Sequence, residues 1–498
     1  RRVVAGCASA LAAIGGAEAA PALQAGLASG RLAAAAALRA LGTLGDSRAL
    51  AVVLEQLRAP DPEVRVAAID AASELLDPAT PDGRAVDPIV TRLRGLGLSI
   101  SERMALIRLL GRTGSPRARP LLEELVREAD DERVVQAAAE ALGLLGPLGQ
   151  DRVLLAALDS ASPGVRWTAA LALRRSASAR SAAALLDRWE RRGEQDRLAV
   201  ATALGGALSK VVARPLHARL ERLTAASRDG PRDALIEAWS RLSGAPPWLL
   251  RFAEASGTPA DRAKVAEVLG GAVGAAPSLR RLLADPDGSV RAAAAWSLGS
   301  AGERSDLPRL VRALSDRDVA VAANAAAALG RLARRLGTAS ETALCEALED
   351  PRNYVRANAL ASLSLLERSC DRGLLGRMLE RDQSNLVRER LAALLWAAAA
   401  AGDREASLML ERCAEEDTSG RAAIACRTPS PSPSGKTFRV TVFVMTATAS
   451  EPVARAPFAL VCSDRLVRLG LADRRGAVFE PAAPAGPLRL EVPALLEE

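Results

Sequence analysis

Apolar and charged positions recur together, in one fixed order, about every 32 residues through most of this chain. A basic residue, almost always arginine, is often followed by alanine two and three places later, and by a large apolar residue, usually leucine, seven places later. Seven residues make about two turns of an α-helix, so the arginine and the leucine lie on one face of the same helix. The clearest copies are residues 285–294 and 350–359. We call the recurring arginine position the anchor, and the aligned copies place it at Arg2, Arg31, Arg65, Arg103, Val135, Arg166, Arg197, Arg232, Arg262, Arg291, Ala322, Arg356 and Arg388.

The residues between successive copies predict a second helix, so each repeat is a pair of antiparallel helices. Glycine often follows the leucine, as at Gly299, and is expected to end or break the anchor helix. Aspartate, often followed by proline, is expected to cap the start of that helix at Asp61, Asp285 and Asp350, because it accepts from free backbone N–H groups. Stacked pairs bury one continuous core, so the sequence predicts an all-α solenoid of about 12–13 helical hairpins forming a superhelix over residues 1–416.

The pattern Asp-Pro-x-x-x-Val-Arg-x-Ala-Ala…Leu-Gly resembles the short bacterial HEAT repeats, the kind named after PBS-lyase HEAT-like proteins. The resemblance implies that aspartates and arginines of neighbouring repeats pair in a ladder, and that ligands bind on the concave face lined by the anchor helices. The structural ladder residues expected from it are Asp285, Asp350, Arg65, Arg166, Arg291 and Arg356. The anchor is not arginine at Val135 and Ala322, so we expect the ladder to be interrupted there.

Residues 417–436 change character, because proline and serine alternate over 429–434. Such a composition is typical of an extended, semi-stiff linker. After it the apolar positions alternate with a period of two, which predicts strands over 437–444 and 466–471 and two more within 473–492.

The last of these residues read D-x-x-G-x-x-F over 473–479 and P-x-G-x-x-x-L-x-V over 484–492. They are similar to carboxypeptidase regulatory-like and prealbumin-like β-sandwiches, whose ends often read D-x-x-G-x-x-x-F…P-x-G-x-x-x-L-x-V. The resemblance implies a small all-β module, sandwich-like in fold, over residues 437–498. A module of about 60 residues buries little core of its own, so we expect it either to lean on the solenoid or to be truncated.

Composition favours helices over sheets, because the hydrophobic content of 49% is mostly alanine and leucine and only 2% of residues are aromatic. The net charge of +7 invites a nucleic-acid interpretation. However, only Lys210, Lys264 and Lys436 are lysine, so 63 of the 66 basic residues are arginine, and eleven of these are anchors. The arginine bias indicates a GC-rich bacterial genome, and the recurring anchors indicate a structural use for much of the charge.

Six cysteines without a C-x-x-C pair predict reduced, mostly buried thiols in a cytoplasmic protein, with a Cys413–Cys426 bridge left open as an alternative. No apolar run is long enough to span a membrane, so no membrane association is predicted. The chain starts with arginine, which leaves open a removed leader or a longer parent protein.

The sequence contains no recognisable catalytic pattern. His217 is the single histidine, and the glycine pairs are not followed by the Lys-Ser/Thr that a phosphate-binding loop requires. We therefore predict no catalytic residue, no cofactor, no metal site and no enzymatic activity.

The leading functional prediction is a non-catalytic protein–protein interaction scaffold or adaptor, a subunit of a larger complex, that binds a protein along its concave face. Trp167, Trp296 and Tyr354 are the candidate partner contacts, with filling of gaps among small alanines as the alternative for the two tryptophans. One alternative function is a nucleic-acid-binding HEAT-like clamp of the DNA-glycosylase kind, for which Arg174-Arg175 supplies charge. A tetrapyrrole lyase-like enzyme is less favoured, since only the name of the repeat family suggests it.

Overall fold

The computed structural model describes residues 18–146, 152–191, 214–240, 258–429, 436–446 and 452–492, together with the short stretches 8, 11, 197, 199–200, 202–204, 248–249 and 251–252. The chain forms two compact units, Arg1–Leu216 and His217–Glu498. The anchor Arg2, the cysteine Cys7 and most of the Pro/Ser run lie outside the described residues. None of the described helices is long and apolar enough to cross a lipid bilayer.

Paired helices build the first unit. The anchor helices, which carry the alanines and the leucine of each repeat, pack side by side in one layer, and the second helices pack against them. The α-helices are α1 (Ala19–Ala28), α2 (Ala34–Leu44), α3 (Leu50–Glu55), α4 (Pro62–Leu75), α5 (Val86–Leu93), α6 (Ile100–Arg112), α7 (Arg119–Glu128), α8 (Glu132–Leu144), α9 (Arg152–Ala157), α10 (Pro163–Ser176) and α11 (Ala179–Arg191). Short 3₁₀ turns lie at Ser47–Ala49, Gln56–Arg58, Gly83–Ala85 and Pro116–Ala118.

The second unit repeats this plan and adds a β module. Its helices are α12 (Arg214–Ala226), which contains the boundary between the units, α13 (Asp229–Trp239), α14 (Pro259–Leu269), α15 (Ala276–Leu282), α16 (Gly288–Ala301), α17 (Leu307–Ala313), α18 (Val319–Leu336), α19 (Glu341–Glu346), α20 (Asn353–Leu366), α21 (Arg372–Arg381), α22 (Asn385–Ala400), α23 (Arg404–Glu416) and α24 (Gly420–Arg427). Two 3₁₀ turns lie at Arg304–Asp306 and Ala347–Glu349. The predicted all-α solenoid followed by a small all-β module is confirmed.

Most of the described glycines after the repeat leucine lie inside their anchor helices, contrary to our expectation, although Gly270 follows the end of α14 as its C-cap. Gly111 lies inside α6 and Gly299 lies inside α16. A Cβ on Gly111 would stand 2.6 Å from the Cα of Ala141, and one on Gly299 would stand 3.0 Å from the Cα of Ala328. The glycines therefore allow neighbouring anchor helices to approach backbone to backbone, which is a packing role rather than a terminating one.

The capping prediction holds at only one of its three positions. Asp61 caps α4, because its carboxylate accepts from the backbone N–H of Glu63 and Pro62 follows it. Asp285 and Asp350 are not caps, since α16 begins three residues after Asp285 and α20 begins three residues after Asp350. Their carboxylates are instead used by arginines, as described below.

The β module contains two antiparallel sheets. Strand β1 (Thr437–Phe443) pairs with β4 (Ala477–Pro484), and the second sheet has the order β3 (Val467–Leu471), β2 (Pro457–Val461), β5 (Arg489–Glu491). The alternating pattern predicted β1 and β3 and placed two strands near β4 and β5. It missed β2, the centre of its sheet, because Phe458 to Val461 form a continuous apolar run that is buried throughout.

Part of the predicted linker is helical. Helix α24 lies within 417–436 and packs against α22 and α23, so the repeat array continues beyond residue 416. Its apolar positions Ala422 and Ala423 are buried, which outweighs the flanking Pro/Ser composition. The division into domains at 1–416, 417–436 and 437–498 stays a prediction.

The cysteine prediction also needs correction. Two disulfides join Cys345 to Cys370 and Cys413 to Cys426, with Cα–Cα distances of 5.7 and 5.9 Å. Cys462 is a free, buried thiol, and burial is the main reason that its pKa rises to about 12. Disulfides are typical of oxidising compartments, so the predicted cytoplasmic location loses its main support.

Candidate protein-binding face

The anchor helices of the second unit share one buried face. It is formed by the residues two and five places after each anchor, and we call it the anchor-helix face. In the second unit its buried members at the fifth place include Glu237, Glu267, Trp296, Ala327 and Ala361. The β module covers these positions, with β3 packed on α16, α18 and α20 and β4 packed on α14.

Two asparagines on this face bind the main chain of β3. The Oδ1 of Asn358 accepts from the backbone N–H of Val467 at 2.7 Å, and its Nδ2 donates to the carbonyl of the same residue at 2.8 Å. The Oδ1 of Asn324 accepts from the N–H of Leu469 at 2.9 Å, and its Nδ2 donates to that carbonyl at 2.9 Å. Both asparagines stand two places after their anchors, in consecutive repeats.

These bonds have the form of strand pairing. One edge of β3 pairs with β2, and the asparagine amides satisfy the backbone of alternate residues on β3. Each Nδ2 also donates to a carbonyl of the preceding anchor helix, at 2.8 Å for Asn358 and 3.0 Å for Asn324, which fixes the amide orientation. The two asparagines therefore bind an extended segment by its main chain.

A buried ionic cluster joins α13 and α14 to the β module. The Nζ of Lys264 lies 3.1 Å from Glu267, 3.4 Å from Glu237 and 3.0 Å from Asp473 of the module. Burial opposes the charge of Lys264, but the three carboxylates outweigh it and raise the pKa of the ammonium group. Arg475 of the module donates to Glu237 and, at 2.8 Å, to Asp473.

The same cluster continues on both sides of Lys264. Arg468 of β3 donates to Glu267 at 2.5 Å and to Glu480 of β4 at 3.2 Å. Arg474 binds both carboxylate oxygens of Asp233, at 2.9 and 2.5 Å. Burial, helped by the negative charge of Asp473, raises the pKa of the Asp233 carboxyl to about 6 despite its pairing with Arg474.

Trp296 lies at the centre of the contact between the helices and the module. It is 2% exposed, and its indole Nε1 donates to Glu480 at 2.7 Å. The guanidinium of Arg331 lies 4.2 Å from the ring centroid and bonds to Asp464 of the module at 3.0 Å. The surface that covers Trp296 belongs to this chain, and a role for Trp296 as a contact of another protein stays a prediction.

Three of the equivalent positions of the first unit are exposed, whereas Ala36 and Leu171 are half-buried and Thr202 is buried. Five places after their anchors stand Asp70, Arg108 and Glu140, and all three side chains are open to solvent. Arg108 and Glu140, from neighbouring repeats, form an exposed ion pair at 3.2 Å. Val66 on the same surface of α4 is 51% exposed.

The other two predicted partner contacts are half-buried. Trp167 lies in α10, one residue after the anchor, and has an interaction partner of its own. Tyr354 lies in the first turn of α20 rather than in a turn between helices, and burial raises the pKa of its phenol. Their role as partner contacts stays a prediction.

Anchor arginines link neighbouring repeats by a recurring geometry. In α16 the Nε and Nη2 of Arg291 bind the carboxylate of Asp316 in the next repeat at 2.8 and 2.9 Å, and its Nη1 binds the carbonyls of Asp285 and Pro286 at 2.9 and 3.0 Å. The same bridge to the next repeat is made by Arg262 with Asp285, Arg356 with Asp382, Arg388 with Asp417 and Arg65 with Glu102. Arg166 binds the carbonyls of Ser160 and Ala161, which lie six and five residues before it.

The expected interruption at Ala322 does not occur, because Arg352 from the next repeat takes the place of the missing arginine. Its guanidinium binds both carboxylate oxygens of Asp350 at 2.8 and 2.7 Å. It also donates to the carbonyls of Asp316 at 2.6 Å and Leu314 at 3.0 Å. Asp350 therefore pairs with a residue of its own repeat, and the connection to the preceding repeat is kept.

Sequence reasoning missed the features that hold the β module. Asn324 and Asn358 carry a detectable signal, because each is an amide within an alanine-rich helix at the same place after its anchor. The ionic cluster carries no such signal, since Arg475 and Glu237 are 238 positions apart in the sequence. Within the described ranges, no group of three or more His, Cys, Asp or Glu residues could hold a metal ion.

Comparison with known families identifies the repeats. The HEAT-repeat model matches residues 31–95, 86–154 and 246–330, and the PBS lyase HEAT-like repeat model matches residues 3–29. The chain therefore contains HEAT repeats, as the sequence pattern predicted. No curated protein sequence is significantly similar to it.

Solved structures give only distant likenesses. Yeast importin-beta (Kap95p) is 13% identical, with 79% of this chain and 71% of that chain covered and a TM-score of 0.38. Importin beta crystallised from polyethylene glycol is 14% identical, with 79% and 61% covered and a TM-score of 0.40. A Kap95p structure described with RanGDP is 14% identical, with 78% and 63% covered and a TM-score of 0.36, so this chain spans less than two thirds of its length. At TM-scores below 0.5 these likenesses do not define the fold of this chain.

Proposed function

We propose that this protein is a non-catalytic protein–protein interaction scaffold or adaptor, and that it binds a protein partner along the anchor-helix face, the concave face of the HEAT superhelix. One observation carries the proposal. In the second unit this face already holds a β strand through main-chain hydrogen bonds from Asn324 and Asn358. A face that binds a segment of its own chain in this way has the chemistry needed to bind another protein.

In the second unit the face is covered by the chain's own module, so we place the partner on the first unit. Asp70, Arg108 and Glu140 are exposed there, with both signs of charge, and Val66 supplies apolar contact area. Trp167, on the following anchor helix, is the remaining predicted contact in this unit. A mixed polar surface with a few large apolar side chains is typical of a non-obligate interface.

A site-specific photo-crosslinker tests this assignment. The crosslinking amino acid p-benzoylphenylalanine is placed at Asp70 or at Glu140 in the full chain, and the protein is irradiated in its native host. We expect both positions to crosslink to the same partner, identified by mass spectrometry, since both lie on one exposed face.

The matched control is Glu124, an exposed residue of the second-helix layer on α7. Crosslinking at Glu124 should be much weaker, and Glu140→Arg should reduce crosslinking from position 70 by reversing the local charge. Equal crosslinking from all three positions, or none from the two anchor-helix positions, would exclude a partner on this face.

A further inference from the structure

Two repeats lack an anchor arginine, and the structure treats them differently. At Ala322 the guanidinium of Arg352 takes the missing position, as described above. Arg352 stands four residues before the next anchor, Arg356. The residue in the corresponding position after Val135 is Ser162, four residues before the anchor Arg166. At Val135, neither of the two positions that supply a guanidinium elsewhere holds an arginine.

The junction at Val135 contains an open cavity of about 440 Å³. It lies between the turn that precedes α8 and the turn that precedes α10, where an anchor arginine lies in other repeats. Its lining includes Ala129, Asp130, Glu132, Val135, Ser160 and Ser162. The nearby Arg133 does not fill it as a ladder residue, because it pairs with Asp131 at 2.8 Å on the exposed surface.

The lining carries the two carbonyl positions that an anchor arginine uses elsewhere in the chain, whereas Ser160 stands where the next repeat gives Arg291 the carboxylate of Asp316. Ala129 and Asp130 stand six and five residues before Val135, the same places whose carbonyls accept from Arg291 and from Arg166 in their repeats. Because those carbonyls belong to the same type of turn, they suit the planar, forked donors of a guanidinium better than a lysine ammonium group.

Charge and apolar contacts fit the same occupant. Asp130 and Glu132 bring two carboxylates to the rim, Arg127 brings one positive charge, and the Oγ of Ser162 donates to Glu132 at 2.8 Å. Val135, with Val153 and Val165 of the lining, offers an apolar wall for the methylene groups of a long side chain.

We propose that the cavity at Val135 receives an arginine side chain of a partner protein, which completes the ladder from outside. This inference rests on the proposed function, because it names one contact of the partner, and it places that contact at the edge formed by the turns. At Ala322 the chain itself supplies the missing guanidinium, from Arg352. At Val135 an exposed arginine of the partner would supply it.

The test uses a capped Gly-Arg-Gly peptide as the probe, with the full-length protein, observed by saturation-transfer NMR. A capped Gly-citrulline-Gly peptide is the neutral control of the same shape. Val135→Arg and Ser162→Arg each place an arginine in the cavity. The first restores the anchor position itself, and the second uses the position four residues before the next anchor, as Arg352 does. Ala322→Arg is the matched control, since Arg352 already occupies that junction.

We expect the arginine peptide to bind at millimolar concentrations and the citrulline peptide to bind roughly tenfold more weakly or not at all. Val135→Arg and Ser162→Arg should abolish binding, and Ala322→Arg should leave it unchanged. Because two independent variants fill the cavity, misfolding of one still leaves the other to decide the result. Arg352→Ala should create a second binding site at Ala322, with twice the stoichiometry.

Absence of binding at millimolar peptide, equal binding of the citrulline peptide, or unchanged binding in Val135→Arg and Ser162→Arg would overturn the proposal. The outcome is separable from that of the proposed function. Crosslinking from Asp70 and Glu140 that persists while the peptide fails to bind would keep the scaffold and remove the arginine contact. Peptide binding without any crosslinking would keep the arginine site at Val135 and remove the partner from the exposed face of the first unit.

Discussion

The same helical position has opposite environments in three repeats of the first unit and in the second unit. Five places after the anchor, the first unit has Asp70 and Glu140 in solvent, whereas the second has Glu237 and Glu267 buried beneath the β module. The repeat geometry is the same, so the sequence pattern of the helices alone does not determine which face is covered. What differs is the presence of Lys264 and the module's arginines, which make the burial of two carboxylates possible.

The difference in burial of these carboxylates indicates which part of the anchor-helix face is available for binding. A buried carboxylate is tolerated only when it is paired and hydrogen-bonded, so Glu237 and Glu267 indicate a face built for one permanent occupant. An exposed carboxylate such as Glu140 contributes little to folding and leaves its surface free for a partner.

The largest expected effect comes from a matched pair at this position. Glu237→Ala removes one of the buried carboxylates that pair with Arg475 and Lys264 and leaves Asp473 and Glu267 as their remaining partners, so we expect a loss of about 3–5 kcal/mol in the free energy of unfolding. Glu140→Ala breaks only the exposed pair with Arg108 and should cost about 0.2–1 kcal/mol. Urea denaturation of both variants measures the contrast, and similar losses would remove the distinction between the two faces.

The asparagine contacts give the next effect. Asn358→Ala deletes an acceptor and a donor for the main chain of Val467 in a buried setting, so we expect a cost of about 1–3 kcal/mol and faster hydrogen exchange at the amide of Val467. Asn353→Ala, at the exposed start of α20, is the control and should change neither quantity. Unchanged exchange at Val467 in the first variant would show that β3 is held by other contacts.

A smaller effect follows from the raised pKa of Asp233, which faces Arg474, Asp473 and Lys264. A carboxyl group whose pKa is about 6 in the folded state and about 3.9 in the unfolded state binds more protons when folded between these values. Its contribution to stability is therefore full below about pH 4 and declines as the pH rises through 6.

Asp233→Asn removes this titration. The difference between the free energies of unfolding of the wild type and the variant should fall as the pH is raised from about 4 to 6. Above about pH 6 this difference should stay level. A difference that is constant across this interval would mean that Asp233 is ionised throughout in the folded protein.

How far the sequence predicted the structure depends on the range of the interactions involved. Local periodicity was sufficient for the helical repeats and for β1 and β3, because it reports which side of an element is buried. It failed at β2, whose run is buried on both sides, and at α24, where packing on α22 and α23 outweighs composition. It also failed for the cover over Trp296, because the contact with Glu480 joins residues 184 positions apart.

The most direct test of the account is carboxylate footprinting of the full-length protein with a carbodiimide and an amine, followed by mass spectrometry. We predict that Asp70 and Glu140 are modified rapidly, at rates typical of surface carboxylates, and that Glu237 and Glu267 are modified only when the protein is unfolded. Comparable rates at all four positions in the native protein would contradict the claim that the β module permanently occupies the anchor-helix face of the second unit while this face of the first unit is open at Asp70 and Glu140.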